Sequence, residues 1–184
     1  MAKVYAALLH YPVCNRKGEE ITTAVTNLDI HDIARSAATY GINGYYIVQP
    51  DKEQQDICRE ILKFWQEGYG LKYNPDRAQA LETVCLSNSL ADTVADIALR
   101  EGESPKLVTT SAKMQENTIS FSVLRDKIEK DGVYLILFGT GWGLTKEVMA
   151  KADYCLPPIK GSGEYNHLAV RSAAAIVFDR LLGM

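Results

Sequence analysis

Closely paired cysteines are missing from this 184-residue chain. Its four cysteines, Cys14, Cys58, Cys85 and Cys155, stand too far apart for the short spacings of a metal site. Two of them fall inside apolar strand-like runs, so reduced, mostly buried thiols are expected, and no metal. Histidine is scarce too, and His10 and His167 lack the spacing of zinc ligands. No stretch reaches the ~20 consecutive apolar residues of a membrane-spanning helix. The opening MAKVYAALLHYPV carries a lysine and a short apolar run, but His10 and Pro12 interrupt it before it takes the form of a signal peptide. The cytoplasm is therefore the expected compartment. An excess of positive charge is also absent: a net charge of −3 excludes a surface that is basic all round, so any nucleic-acid partner needs a local patch. Internal repeats and low-complexity segments are lacking.

What is present is the composition of a globular protein, 47% apolar and 23% charged, at a length that suits one domain over residues 1–184. Strand-length apolar runs recur at 3–9, 45–48, 82–86, 106–109, 133–138 and 153–156. Helical spacing lies between them: Ile30, Ile33, Ala34 and Ala37 share one face, as do Ile57, Cys58, Ile61 and Trp65, then Leu90, Val94, Ile97 and Ala98. Asp29, Asp51 with Gln54, and Ser89 read as helix starts, and Gly41, Gly68 and Gly102 as stops. A fourth helix is expected over 118–130 with Phe121, Leu124 and Ile128 inward. A last one is expected over 166–182 with Ala169, Ala173, Ile176 and Val177 on one face. Strands alternating with helices predict an α/β fold with a mainly parallel six-stranded sheet and helices on both faces, since parallel neighbours need crossovers. Residues 10–28 and 157–165 read as irregular.

Ligands of such sheets bind at the carboxyl ends of the strands. There the stretch YLILFGTGWGLTKEVM (134–149) runs from a strand through Gly139, Gly141 and Gly143 into a helix. Glycines spaced this way let backbone take positive φ and approach a ligand. The spacing is G-x-G-x-G rather than the dinucleotide fingerprint, and Trp142 crowds a phosphate cradle, so a nucleoside fits better than a pyrophosphate. A plain turn joining strand to helix is the competing reading. A second loop, LPPIKGSGEYNHLAV (156–170), follows the next strand and enters the last helix, so two successive bends can enclose one ligand.

Three stretches resemble the motifs of the SPOUT family, the knotted S-adenosylmethionine-dependent RNA methyltransferases, in the family's order. They are NLDIHDIARSAATYGINGYYIVQP (27–50), LILFGTGWGLT (135–145) and LPPIKGSGEYNHLAVRSAAAIVFDR (156–180). The likeness is nearest to a small bacterial branch of stand-alone domains. It implies a carboxyl-terminal deep trefoil knot, a homodimer with the active site between subunits, S-adenosylmethionine as cofactor, and tRNA or rRNA as partner. Two departures stand out: Thr140-Gly141 replaces the asparagine and acid that follow the second motif's first glycine in ribose-methylating relatives. His167-Leu168-Ala169-Val170-Arg171 replaces their S-L-N-V-S.

Under this likeness Phe138, Gly139, Thr140, Gly141, Gly143, Leu156, Ile159, Asn166 and Leu168 line the cofactor, with Thr109 at a neighbouring strand end. Arg35 matches the first motif's arginine and, with Arg171, is the expected catalytic residue. A guanidinium stays protonated and has no lone pair, so holding phosphate or stabilising a developing alkoxide suits Arg35 better than acting as a base. Arg16, Lys17, Lys160 and His167 are the expected RNA contacts, and Trp142 and Tyr165 either stack on a base or seal the pocket. The leading expectation is methylation of a ribose 2′-hydroxyl. Methylation of a guanine ring nitrogen, a non-catalytic nucleotide-binding module and a flavodoxin-like binder of a phosphorylated cofactor stay open beside it.

Overall fold

A computed structural model describes residues 2–184. In chain order the elements are β1 (Lys3–Leu9), β2 (Val13–Cys14), β3 (Glu20–Ile21), α1 (Asn27–Thr39), β4 (Gly44–Val48), α2 (Lys52–Gln66), α3 (Tyr69–Tyr73), α4 (Pro75–Leu81) and β5 (Val84–Ser87). There follow α5 (Leu90–Glu101), β6 (Lys106–Thr109), α6 (Phe121–Ile128), β7 (Val133–Gly139), α7 (Lys146–Ala150), β8 (Tyr154–Cys155) and α8 (Val170–Leu182). Six strands form one sheet in the order β5-β4-β1-β7-β6-β8, with every pairing parallel. β2 and β3 make a separate antiparallel ribbon.

The strands read as continuous apolar runs because both faces of the sheet are covered. Val4, Ala6 and Leu8 of β1 and Tyr134, Ile136 and Phe138 of β7 point into a core shared with α1, α2, α4, α6 and α8. The alternate residues Tyr5, Ala7, Leu9, Val133, Leu135 and Leu137 enter a second core under α5, α7 and the β2–β3 ribbon.

The helix ends differ in places from the sequence reading. Thr26, not Asp29, caps α1: its hydroxyl oxygen accepts from the Asp29 amide, and Asp29 sits inside the first turn. Asp51 caps α2 as expected, but the Gln54 side chain bonds to the amide of Val25 instead of closing a capping box. On α2, Leu62 is buried and Ile57 is exposed. Ser89 and the left-handed Gly102 bound α5. Ser120 starts α6 later than expected. α8 begins at Val170 rather than residue 166, and its buried face is Ala174, Val177, Phe178 and Leu181 rather than the Ala169-Ala173-Ile176 row. The segment 10–28 holds the β2–β3 ribbon, and α3 and α4 fill 69–81, where no helix was expected. No helix among the described residues is long and apolar enough to cross a membrane.

Candidate functional site

At the carboxyl ends of β7, β6 and β8 lies a cleft of about 880 Å³. Three loops and one short segment make its walls. The turn after β7 contributes Phe138, Gly139, Thr140, Gly141 and Gly143. The loop after β8 contributes Leu156, Pro157 and Ile159, then Asn166, His167, Leu168 and Arg171 where the chain enters α8. Residues 110–113 follow β6, and Thr23, Ala24, Thr26 and Asp29 lead into α1. Both glycine-containing loops thus border one hollow.

The glycines serve the fold more than the cleft. A Cβ on Gly139 would stand 2.7 Å from the Leu144 amide nitrogen, inside the turn itself, and one on Gly141 would stand 2.9 Å from the Cys14 carbonyl oxygen. The turn is zipped to β2: Trp142 donates its amide to the Cys14 carbonyl at 2.8 Å, and the Cys14 amide donates to the Gly143 carbonyl at 2.9 Å. Gly141 and Gly143 take φ of +59° and +104°, the left-handed region that favours glycine. In the second loop Gly161 and Gly163 meet nothing within 4 Å and lie outside the cleft wall, so that loop reaches the cleft through Leu156 and Ile159 instead.

The floor is apolar and fixed. Phe138 and Leu156 are buried, and the Phe138 ring meets that of Phe178 edge to face, with centroids 5.7 Å apart. Asn166 donates its side-chain amide to the Ala112 carbonyl at 2.6 Å and ties the last loop to the 110–113 loop. The Thr23 side of the wall is clamped from behind. Gln49 donates to the Thr23 carbonyl at 2.9 Å, and Gln55 donates to the Gln49 carbonyl at 2.6 Å. His10, fully buried, lies behind Thr23 with its Nδ1 3.0 Å from the Thr23 hydroxyl. Burial pushes its imidazole down to about 4, with the Asp29 carboxylate opposing.

Asp29 is the one carboxylate in the cleft wall among the described residues. The Thr26 hydroxyl donates to it at 2.6 Å, and Arg171 approaches it at 4.0 Å while reaching Asp32 at 3.4 Å. The sequence marks Asp29 as a helix start, and its place in the wall was missed because that place depends on α1 and α8 packing together. Thr23 was missed as well.

The remaining expected residues lie elsewhere. Thr109 is fully buried, its hydroxyl bonded to the Tyr154 carbonyl, behind the wall rather than in it. Arg35 stands exposed on α1, outside the wall. Arg16 and Lys17 line a neighbouring cavity, and Lys160 is exposed and lines neither.

A family profile described as SAM-dependent RNA methyltransferase matches residues 3–183. An uncharacterized protein of Aquifex aeolicus (strain VF5) is 44% identical over 179 residues, 97% of this chain and 87% of its own length. A tRNA (guanine-N(1)-)-methyltransferase of Oleidesulfovibrio alaskensis is 42% identical over 180 residues, which is 98% of this chain but 42% of that protein, so more than half of the relative has no counterpart here. Among solved structures, the TrmH/SpoU tRNA modifying enzyme of Aquifex aeolicus shares the fold, with a TM-score of 0.57 at 15% identity over 98% of this chain and 73% of that one.

Proposed function

Because the chain belongs to the family of S-adenosylmethionine-dependent RNA methyltransferases, we propose that the cleft holds the cofactor and that the methyl acceptor is a guanine ring nitrogen of tRNA. The residues fit such a cofactor. Phe138, Leu156 and Ile159 offer apolar surface for an adenine, and the 139–143 turn offers main-chain groups, with open space where a Cβ on Gly143 would stand. When bound, the cofactor supplies a methyl group already activated on a sulfonium. What remains for the chain is to align the acceptor and to take its proton.

The position of Asp29 carries the acceptor assignment. Methylation of guanine N1 forms an N–C bond, breaks the C–S bond, and requires the N1 proton to leave. A carboxylate can accept from N1–H and the exocyclic amino group side by side, then take that proton. Thr26 and Arg171 hold the Asp29 carboxylate in the wall. The activity in the name of the Oleidesulfovibrio relative supports the same acceptor. Arg171, engaged by two carboxylates, orients Asp29 in this reading and leaves phosphate contacts to other cations.

The trefoil threading and the homodimer belong to the same reading. β8 lies at the sheet edge beside β6, whereas α8 packs on α1 and α6 over β7, so residues 156–169 run from the sheet edge back toward β7. Leu28 on α1 and Leu168 at the cleft are exposed apolar side chains that a second copy would cover. In a dimer, Arg35 can serve a site other than that of its own subunit.

The test is incubation with labelled S-adenosylmethionine and undermodified tRNA, followed by nucleoside analysis. The expected product is 1-methylguanosine. A 2′-O-methylated nucleoside would move the acceptor to the ribose, and cofactor binding without methyl incorporation would leave a binding module.

A further inference from the structure

Beyond the 139–144 turn lies a second, larger cavity of about 1320 Å³, which shares Thr110, Ser111, Lys113, Trp142 and Gly143 with the cofactor cleft. The turn between β2 and β3, with Arg16 and Lys17, forms another of its walls. Trp142 stands on the boundary. Its backbone is fixed between two positive-φ glycines and hydrogen-bonded to β2, yet the residue is 52% exposed and belongs to neither core among the described residues. The Arg16 guanidinium lies over that ring, 6.0 Å from its centroid. Met114, 60% exposed, lines the same cavity.

A large aromatic residue whose backbone is pinned and which stands half in water is not explained by packing. We propose that Trp142 is a stacking platform for a nucleobase of the RNA beside the acceptor nucleotide, with Arg16 extending the platform and Lys17 and Lys113 meeting the flanking phosphates. The inference rests on the RNA reading above and adds to it a second base site across the turn. Base–aromatic stacking needs only a π-face, so it accepts any base and positions the strand without reading sequence. The cavity's charges favour a base over bare phosphate. Glu20, Glu116, Glu147 and Asp153 line it alongside Arg16, Lys17, Lys113 and Lys146, so acceptors for base amino groups stand among the cations. A groove that only tracked phosphates would be cationic throughout.

Trp65, the second tryptophan, packs against His31 and Arg77 away from this site, so Trp65→Phe leaves Trp142 as the sole indole reporter. That variant, loaded with S-adenosylhomocysteine, is titrated with a mixed-sequence single-stranded RNA hexamer and with an abasic hexamer of the same length. We expect quenching of Trp142 by the hexamer and none by the abasic strand. Trp142→Ala should weaken hexamer affinity roughly 5- to 100-fold, Trp142→Phe should retain most of it, and Arg16→Ala should fall between. Equal response to the abasic strand, or hexamer binding that ignores Trp142→Ala and Arg16→Ala, overturns the platform while leaving the RNA reading intact. Absence of binding to hexamer and to undermodified tRNA alike, with no methyl incorporation, overturns both. The quenching readout does not depend on Trp142→Ala folding.

Discussion

The hydroxyl oxygens of Thr23 and Thr140 lie 2.5 Å apart, joining the segment that leads into α1 to the glycine turn after β7. The Thr140 hydroxyl also donates to the Leu9 carbonyl at 3.0 Å, which uses its only proton. With Thr140 donating to Leu9, Thr23 donates to Thr140 at 2.5 Å in preference to the His10 carbonyl 3.5 Å away, and its own oxygen accepts from Nδ1 of His10 at 3.0 Å. Counting protons in this way puts the His10 hydrogen on Nδ1 and leaves Nε2 bare, buried and without a partner among the described residues. A neutral imidazole thus heads a hydrogen-bond chain that passes through Thr23 and Thr140 in the cleft wall and ends at the Leu9 carbonyl.

Stability should fall in acid through His10. Its imidazole is held down at about 4 by burial, against an ordinary value near 6.5 in the unfolded chain. Between those values the unfolded state takes a proton that the folded state refuses, so stability is complete above about pH 6.5 and is lost as pH falls toward 4. The loss approaches about 3 kcal/mol below that range, at about 1.4 kcal/mol per unit of pKa difference. Denaturant unfolding from pH 4 to 7 measures it. His10→Asn keeps a donor toward Thr23 and removes the titration, so the difference between the two proteins should narrow in acid.

Gly141→Ala and Gly143→Ala should separate strain from collision. At Gly143 a methyl group meets nothing within 4 Å, so only its φ of +104° is penalised, by about 1–3 kcal/mol. At Gly141 the same kind of strain is joined by contact at 2.9 Å with the Cys14 carbonyl, the acceptor that binds Trp142. Thermal unfolding should show a larger drop for Gly141→Ala, and calorimetry with S-adenosylhomocysteine should show the larger loss of affinity there. Equal behaviour would mean that the zip between β2 and the turn is loose.

Much of this was legible in the sequence for a stated reason. Strands buried on both faces give unbroken apolar runs, so β1, β4, β6 and β7 stood out, and the two loops after β7 and β8 were marked by their glycines. The ribbon of β2 and β3 has strands too short to show any period, which left 10–28 looking irregular. In VRSAAAIVFDRLL nearly every position but the charged ones is small or apolar, so the helical phase was ambiguous and the inward Phe178 was passed over. Asp29 looked like a local cap because its partnership with Arg171 depends on α1 and α8 packing together, which no local pattern encodes.

Asp29→Asn separates a proton acceptor from a structural carboxylate. The asparagine keeps an oxygen for the Thr26 hydroxyl, so α1 should start as before. If Asp29 takes the guanine proton, kcat should fall by about 100-fold or more while the KM for S-adenosylmethionine changes little, and the rate should regain ground as pH rises. An unchanged kcat would remove Asp29 from the chemistry. A raised KM at constant kcat would make it a binding residue only.

Phe178 supports the cleft from below, and truncating it should be felt in both stability and cofactor affinity. It is fully buried on α8, and its ring meets Phe138 edge to face, so Phe178→Ala removes the surface on which the cleft floor rests. Such a deletion costs about 3–5 kcal/mol in a close-packed core, which at this chain length lowers Tm by roughly 10 °C or more. Phe178→Leu refills most of the volume and should recover most of the stability, while losing the ring that orients Phe138. The two variants therefore differ in a useful way. If Phe138 gains its position from the ring contact, Phe178→Leu should bind S-adenosylhomocysteine several-fold more weakly than the parent despite a near-parental Tm. If volume alone matters, its affinity should match the parent, and only Phe178→Ala should fail.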